Sequence, residues 1–195
     1  RGEGGVGVEL VGLLRAFVEV VWDAAGEERC CSEDVLAVVM GGDDVFMCDI
    51  LVNMRQLYYC ALKVCEKLDA EGWDATPHLA KEPIEWITVA LQPVDVFSCF
   101  LKSVGFDACF LLEITIADPE ATKGLALVWL LGVLRDVNAV GGWHAWNRAD
   151  GSRDGNVCVF MHDFMRRIEE RRDNGDVDFN VNPLLVALGR GLENP

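Results

Sequence analysis

Two small constellations in this sequence have residue types and spacings that could do chemistry. Cys158 and His162 stand four residues apart, one turn of a helix, where a thiolate and an imidazole can share a zinc ion. A tetrahedral site needs two further ligands. The remaining cysteines (Cys30, Cys31, Cys48, Cys60, Cys65, Cys99 and Cys109) form no Cys-x-x-Cys, and Cys60 and Cys65 lie five apart, a poor fit to one helical face. Asp150, Ser152 and Asp154, followed by Gly155, place oxygens at positions one, three and five of a calcium loop. Position twelve, where a bidentate glutamate must close the shell, is Met161. The segment therefore reads as a polar turn. His78, His144 and His162 fall in no nucleophile motif, and neither Gly-x-Ser-x-Gly nor a phosphate loop is present.

Two further groups bear on recognition. Arg166, Arg167, Arg171 and Arg172 form the one basic cluster, interrupted by Glu169 and Glu170, with Arg166 and Glu170 at helical i,i+4 spacing. This is a solvated helix face first, and a docking site for an acidic partner or RNA backbone second. Trp143, His144 and Trp146 follow the Gly141-Gly142 break and read as a cap packed on preceding helices rather than as a ligand cage.

The elements that must carry these groups are helical. Apolar residues make up 51% of the 195 residues, enough for a core in one domain or two small ones. Leu10, Leu13, Leu14, Phe17, Val20 and Val21 recur at helical steps; Val35–Met40 is a short segment for which Ser32-Glu33-Asp34 offers a cap. Asp43-Asp44 opens a long helix with Ile50, Met54, Leu57, Ala61, Val64 and Leu68 on one stripe and Asn53, Arg55, Lys63, Glu66 and Lys67 opposite. Pro77, Pro83, Pro93, Pro119 and Pro183 stand before apolar-periodic segments, where a first-turn proline loses no hydrogen bond. Asp118 and Asn182 would act as caps ahead of their prolines. Glu85–Leu91 has strand-like β-branching but no partner strand, so it reads as helix. Leu125–Leu134 is an apolar run too short for the roughly 20 residues of a membrane helix, and reads as a helix buried on most sides.

The spacing predicts about eight helices in an all-α fold, an armadillo- or HEAT-like stack of antiparallel hairpins. Its organisation would be a helical stack over 1–146, a polar linker over 147–156 and a C-terminal helical pair over 157–195. The eight cysteines read as buried, reduced thiols in a reducing compartment. With 17 basic against 32 acidic residues, the net charge of −15 opposes direct binding of nucleic acid or an anionic membrane.

Two stretches resemble the Lines family. In the first, Leu91-Gln92-Pro93 leads into Phe97, Phe100-Leu101, Val104 and Phe106-Asp107. Leu111-Leu112-Glu113, Trp129, Leu134, Trp143 and Trp146 follow. In the second, Phe179-Asn180-Val181-Asn182-Pro183-Leu184-Leu185 is similar to the family's closing segment, with Asn180 and Val181 in place of proline and tyrosine. Asp43-Asp44 and the helix after it fit an upstream element, so the Lines-like region would start near residue 43. The resemblance implies a non-enzymatic adaptor in nucleus or cytoplasm. It would regulate segment-polarity, Wnt-linked signalling or transcription through protein partners. Helical spacing marks Phe97, Phe100, Leu101 and Val104 as core, and Asp107 is the expected cap of the helix that follows it. No catalytic residue, metal or cofactor is expected. Two other classes remain open: a structural subunit of a large protein or ribonucleoprotein assembly, and an enzyme with a convergent Cys–His site.

Overall fold

The computed structural model describes residues 44–71, 81–117, 124–143 and 157–193. The expected helices over Leu10–Val21 and Val35–Met40, the Asp118 cap and the 147–156 linker with its calcium-like turn lie outside the described residues. So do His78, His144 and Trp146.

Among the described residues the chain forms seven α-helices and no strand. They are α1 (Asp44–Glu71), α2 (Lys81–Ala90), α3 (Pro93–Ser103), α4 (Ala108–Leu112), α5 (Leu125–Ala139), α6 (Val157–Asn174) and α7 (Asn182–Glu193). A single π-helical turn, Glu113–Ala117, extends α4. Within it the buried Thr115 hydroxyl donates to the Leu111 carbonyl at 2.5 Å, so the buried hydroxyl is satisfied inside its own helix. Glu85–Leu91, strand-like by composition, lies in α2 and the turn after it.

Local chemistry sets the boundaries. Pro93 occupies the first turn of α3, after a 47° bend between Ile84–Ala90 and Pro93–Ser103. α3 ends in a Schellman motif. Gly105 takes a positive φ, its N–H donates to Lys102 O, and the Phe106 N–H donates to Leu101 O. α6 ends the same way at Gly175, with Asp176 N–H donating to Arg171 O at 2.9 Å. Asp107 then caps α4, its carboxylate accepting from Cys109 N at 2.8 Å and Phe110 N at 3.2 Å. At α7 the expected cap moves. Asn182 is already the first helical residue, and the Asn180 side chain accepts its N–H at 3.0 Å.

The apolar run Leu125–Leu134 becomes α5, the hub of the molecule. It packs against α1, α3, the π turn and α7. Contact passes from α2 to α1, α5, α7, α6 and α4, and returns to α5 through the π turn. A helix with neighbours on several sides must be apolar on several sides, which explains Ala126, Trp129, Leu130, Val133, Leu134 and Val137 in the core. Phe97, Phe100, Trp129 and Trp143 form an aromatic cluster at its centre. The Phe100–Trp129 and Phe97–Trp129 rings meet edge to face at 4.9 and 5.5 Å, and Phe97–Trp143 are tilted at 5.9 Å. Phe160, Phe164 and Ile168 of α6 and Leu184 and Leu188 of α7 belong to the same core, so the C-terminal pair shares it.

Candidate interaction site

The residues of the Lines-like stretches divide cleanly by burial. Pro93, Phe97, Phe100, Leu101, Leu111, Leu112, Trp129, Leu134, Trp143 and Leu184 are buried. Val104, expected in the core with Phe97, Phe100 and Leu101, is only half-buried because it stands at the end of its helix. Phe106 is half-buried with its ring at 5.8 Å from Phe160, and Phe179 and Leu185 pack against the core's edge. Asp107, Asn182 and Pro183 are exposed. These residues serve as packing and capping groups.

The cysteines differ from expectation. Six are described, all thiols, but only Cys48 and Cys158 are buried; Cys60, Cys65 and Cys99 are half-buried and Cys109 is exposed. Helical apolar patterns bury one face, and a thiol on the flank of that face stays partly wet. Burial pushes the Cys158 thiol up, away from thiolate, while His162 one turn on is exposed. Among the described residues no group of three or more His, Cys, Asp or Glu side chains is placed to hold a metal.

The arginine cluster splits into two. Arg166 pairs with Asp163 at 2.6 Å and with Glu170, Arg167 pairs with Asp163 at 2.7 Å, and Arg172 pairs with Asp173 at 2.9 Å. Two arginines on one carboxylate hold Asp163 below the usual carboxylate range, through hydrogen bonds from Arg167 and then Arg166. Arg167 also reaches across to α4, its Nη1 lying 3.2 Å from the exposed Cys109 Sγ. Arg167 and Arg171, four apart on α6, form one wall of a groove of about 560 Å³. Cys109, Leu112 and Glu113 of α4 and the π turn form the other, and Glu170, Asn174 and Asp176 complete it. The spacing Cys109–Glu113 and Arg167–Arg171 puts each pair on one helix face in the sequence, but only the fold shows that the two faces meet.

A second polar cluster escaped the sequence entirely. Arg55, expected on the solvated side of α1, is only 17% exposed and grips Asp136 of α5, itself 7% exposed. Its Nε and Nη2 donate to the two carboxylate oxygens at 2.7 and 2.9 Å. The Tyr59 hydroxyl donates to the same carboxylate at 2.6 Å, and the guanidinium sits 4.9 Å from the Tyr59 ring centre. Burial and then the Asp136 bond hold the Tyr59 hydroxyl above its ordinary pKa; the Asp136 bond outweighs burial in raising Arg55. Gly132, one turn before Asp136, makes room: a Cβ there would lie 2.8 Å from Arg55 Nε. Both carboxylate oxygens of Asp136 are taken up by Arg55 and Tyr59 of the facing helix, so the cluster fastens α1 to α5.

Among the described residues no single helix is long and apolar enough to cross a membrane. Comparison with models of protein families, with characterised proteins and with solved structures found no match to this chain.

Proposed function

We propose that this chain is a non-enzymatic helical scaffold that acts through protein–protein contacts. One observation carries the reading. The aromatic and leucine residues most concentrated in the sequence are spent on one core around α5, while the open groove between α4 and α6 is rimmed by charged side chains. A pocket for small-molecule chemistry is mostly apolar and concave with a few converging polar groups; this groove has the opposite make-up. The raised thiol of Cys158 also works against a Cys–His nucleophile at that pair.

An armadillo- or HEAT-like arrangement is the finer form of this proposal. The α2–α1–α5–α7–α6–α4 series of packed helices supports it, and the return contact through the π turn makes the array more closed than an open solenoid. The Lines resemblance adds a signalling or transcriptional role in nucleus or cytoplasm. That layer rests on the sequence motifs alone, since no family model matches.

A structural-subunit reading has one observation in its favour. Val89, Val128, Val159 and Val186, on four different helices, are each more than half exposed. Size-exclusion chromatography with light scattering on the full chain separates the two readings. A soluble monomer is the result for the scaffold, and aggregation relieved by a co-expressed neighbour is the result for the subunit. Affinity purification with mass spectrometry tests both, because recovery of no protein partner contradicts each.

A further inference from the structure

The groove between α4 and α6 carries five charged side chains, and two of them are already committed: Arg167 to Asp163 and Glu170 to Arg166. The other three, Arg171, Glu113 and Asp176, form no hydrogen bond or ion pair through their side chains among the described residues. Their positions are fixed by backbone chemistry. Arg171 is half-buried on the groove face of α6. The Schellman turn at Gly175 brings Asp176 back over the last turn, through its N–H on Arg171 O, beside carbonyls that carry the negative end of the helix dipole. Glu113 faces them from the start of the π turn, and the buried Leu112 supplies an apolar floor.

We propose that this groove docks a partner-protein segment with a carboxylate and a cation on one face. The carboxylate would meet Arg171 and the cation would meet Asp176 and Glu113. The inference rests on the scaffold reading and names the kind of partner. Charge complementarity selects the occupant. An all-acidic segment would meet Glu113 and Asp176 as like charges and an all-basic one would meet Arg171 as a like charge, so only a mixed segment pairs all three residues. This replaces the second reading of the basic cluster, a docking site for an acidic partner or RNA backbone, because most of that cluster is neutralised by its own helix. A volume of about 560 Å³ has room for a few side chains of a segment, not for a folded domain.

The test uses the full chain and fluorescein-labelled helical peptides carrying Glu and Lys one turn apart, or Glu at both positions, or Lys at both. Anisotropy should rank the mixed peptide tightest. Arg171→Glu should weaken it about fivefold, the loss expected for one partly exposed ion pair, and should make the double-Lys peptide the preferred one. Asp176→Lys should shift preference toward the double-Glu peptide. Tightest binding of the double-Lys peptide to the unaltered chain, insensitive to Arg171→Glu, would mean attraction to bulk negative charge and would end the proposal, as would no binding of any peptide. Affinity purification separates the two levels. Partners recovered equally by the unaltered chain and Arg171→Glu overturn the groove and leave the scaffold reading standing, whereas no partner with either overturns both.

Discussion

Arginine meets carboxylate in two regions of this molecule with opposite consequences. At the α1–α5 seam, Arg55 and Asp136 are largely withdrawn from water, bonded through two parallel N–H···O contacts and shared with Tyr59. On α6, Arg166 and Arg167 clasp Asp163 at the surface, with Arg166 55%, Arg167 35% and Asp163 37% exposed. Inside, each partner has lost most of its hydration and depends on the other; outside, water and salt replace either partner at little cost. The same pair of residue types is therefore a fastener in one place and an exchangeable surface in the other. Only the exchangeable surface leaves side chains such as Arg171 available to a second protein.

The largest effect should come from splitting the seam. Asp136→Ala strands the Arg55 guanidinium and the Tyr59 hydroxyl together, and should cost about 3 kcal/mol in urea unfolding. A loss no greater than that of a surface substitution would erase the contrast between the regions. Gly132→Ala sharpens it. A free helical site would gain about 1 kcal/mol from alanine, but here the new methyl pushes on Arg55 Nε, so the unaltered seam should lose about 1 to 2 kcal/mol. In an Arg55→Leu background the clash with the guanidinium disappears and the same change should stabilise. Equal effects in both backgrounds would show that Arg55 moves aside freely.

Smaller effects follow toward the surface. Asp107→Ala removes the acceptor for two N–H groups at the start of α4 and should cost about 1 kcal/mol, with Asp107→Asn recovering most of it. An unchanged melting temperature would show that α4 is held by Leu111 and Leu112 alone. Asp163→Asn should do least. Its folded pKa is lowered, so whatever it contributes is present above the ordinary carboxylate pKa and lost as pH falls through the lowered value. The acid limb of the stability curve should flatten slightly, and about 1 M salt should abolish the difference. A pronounced, salt-resistant effect at neutral pH would place Asp163 with Asp136 instead.

What was legible in the sequence follows the range of the interactions. The apolar run Leu125–Leu134 needed neighbours on many sides, and its composition alone marked it as a central helix. Phe97, Phe100 and Leu101 repeat at helical spacing, and Asp107 stands where an orphaned helix start needs an acceptor; both signals lie within a few residues. Arg55 and Asp136 are 81 residues apart. Periodicity placed Arg55 on the polar side of α1, and only the approach of α5 at Gly132 turned that side inward. The groove was half legible for the same reason: Arg167 and Arg171 shared a face by spacing, but Glu113 across the gap belongs to another helix. Cys109 shows the converse error, since a thiol in an apolar pattern reads as buried, whereas here it lies exposed on the wall of the open groove between α4 and α6.

The seam, and with it the proposed scaffold role, depends on α5 being the centre on which the other described helices are assembled. Hydrogen exchange of the full chain followed by mass spectrometry tests that directly. The amides of Leu125–Ala139 should be among the slowest in the molecule and should exchange only with global unfolding, while the last turn of α6 beside the groove exchanges by local fraying. Exchange of α5 as fast as that last turn would contradict the arrangement.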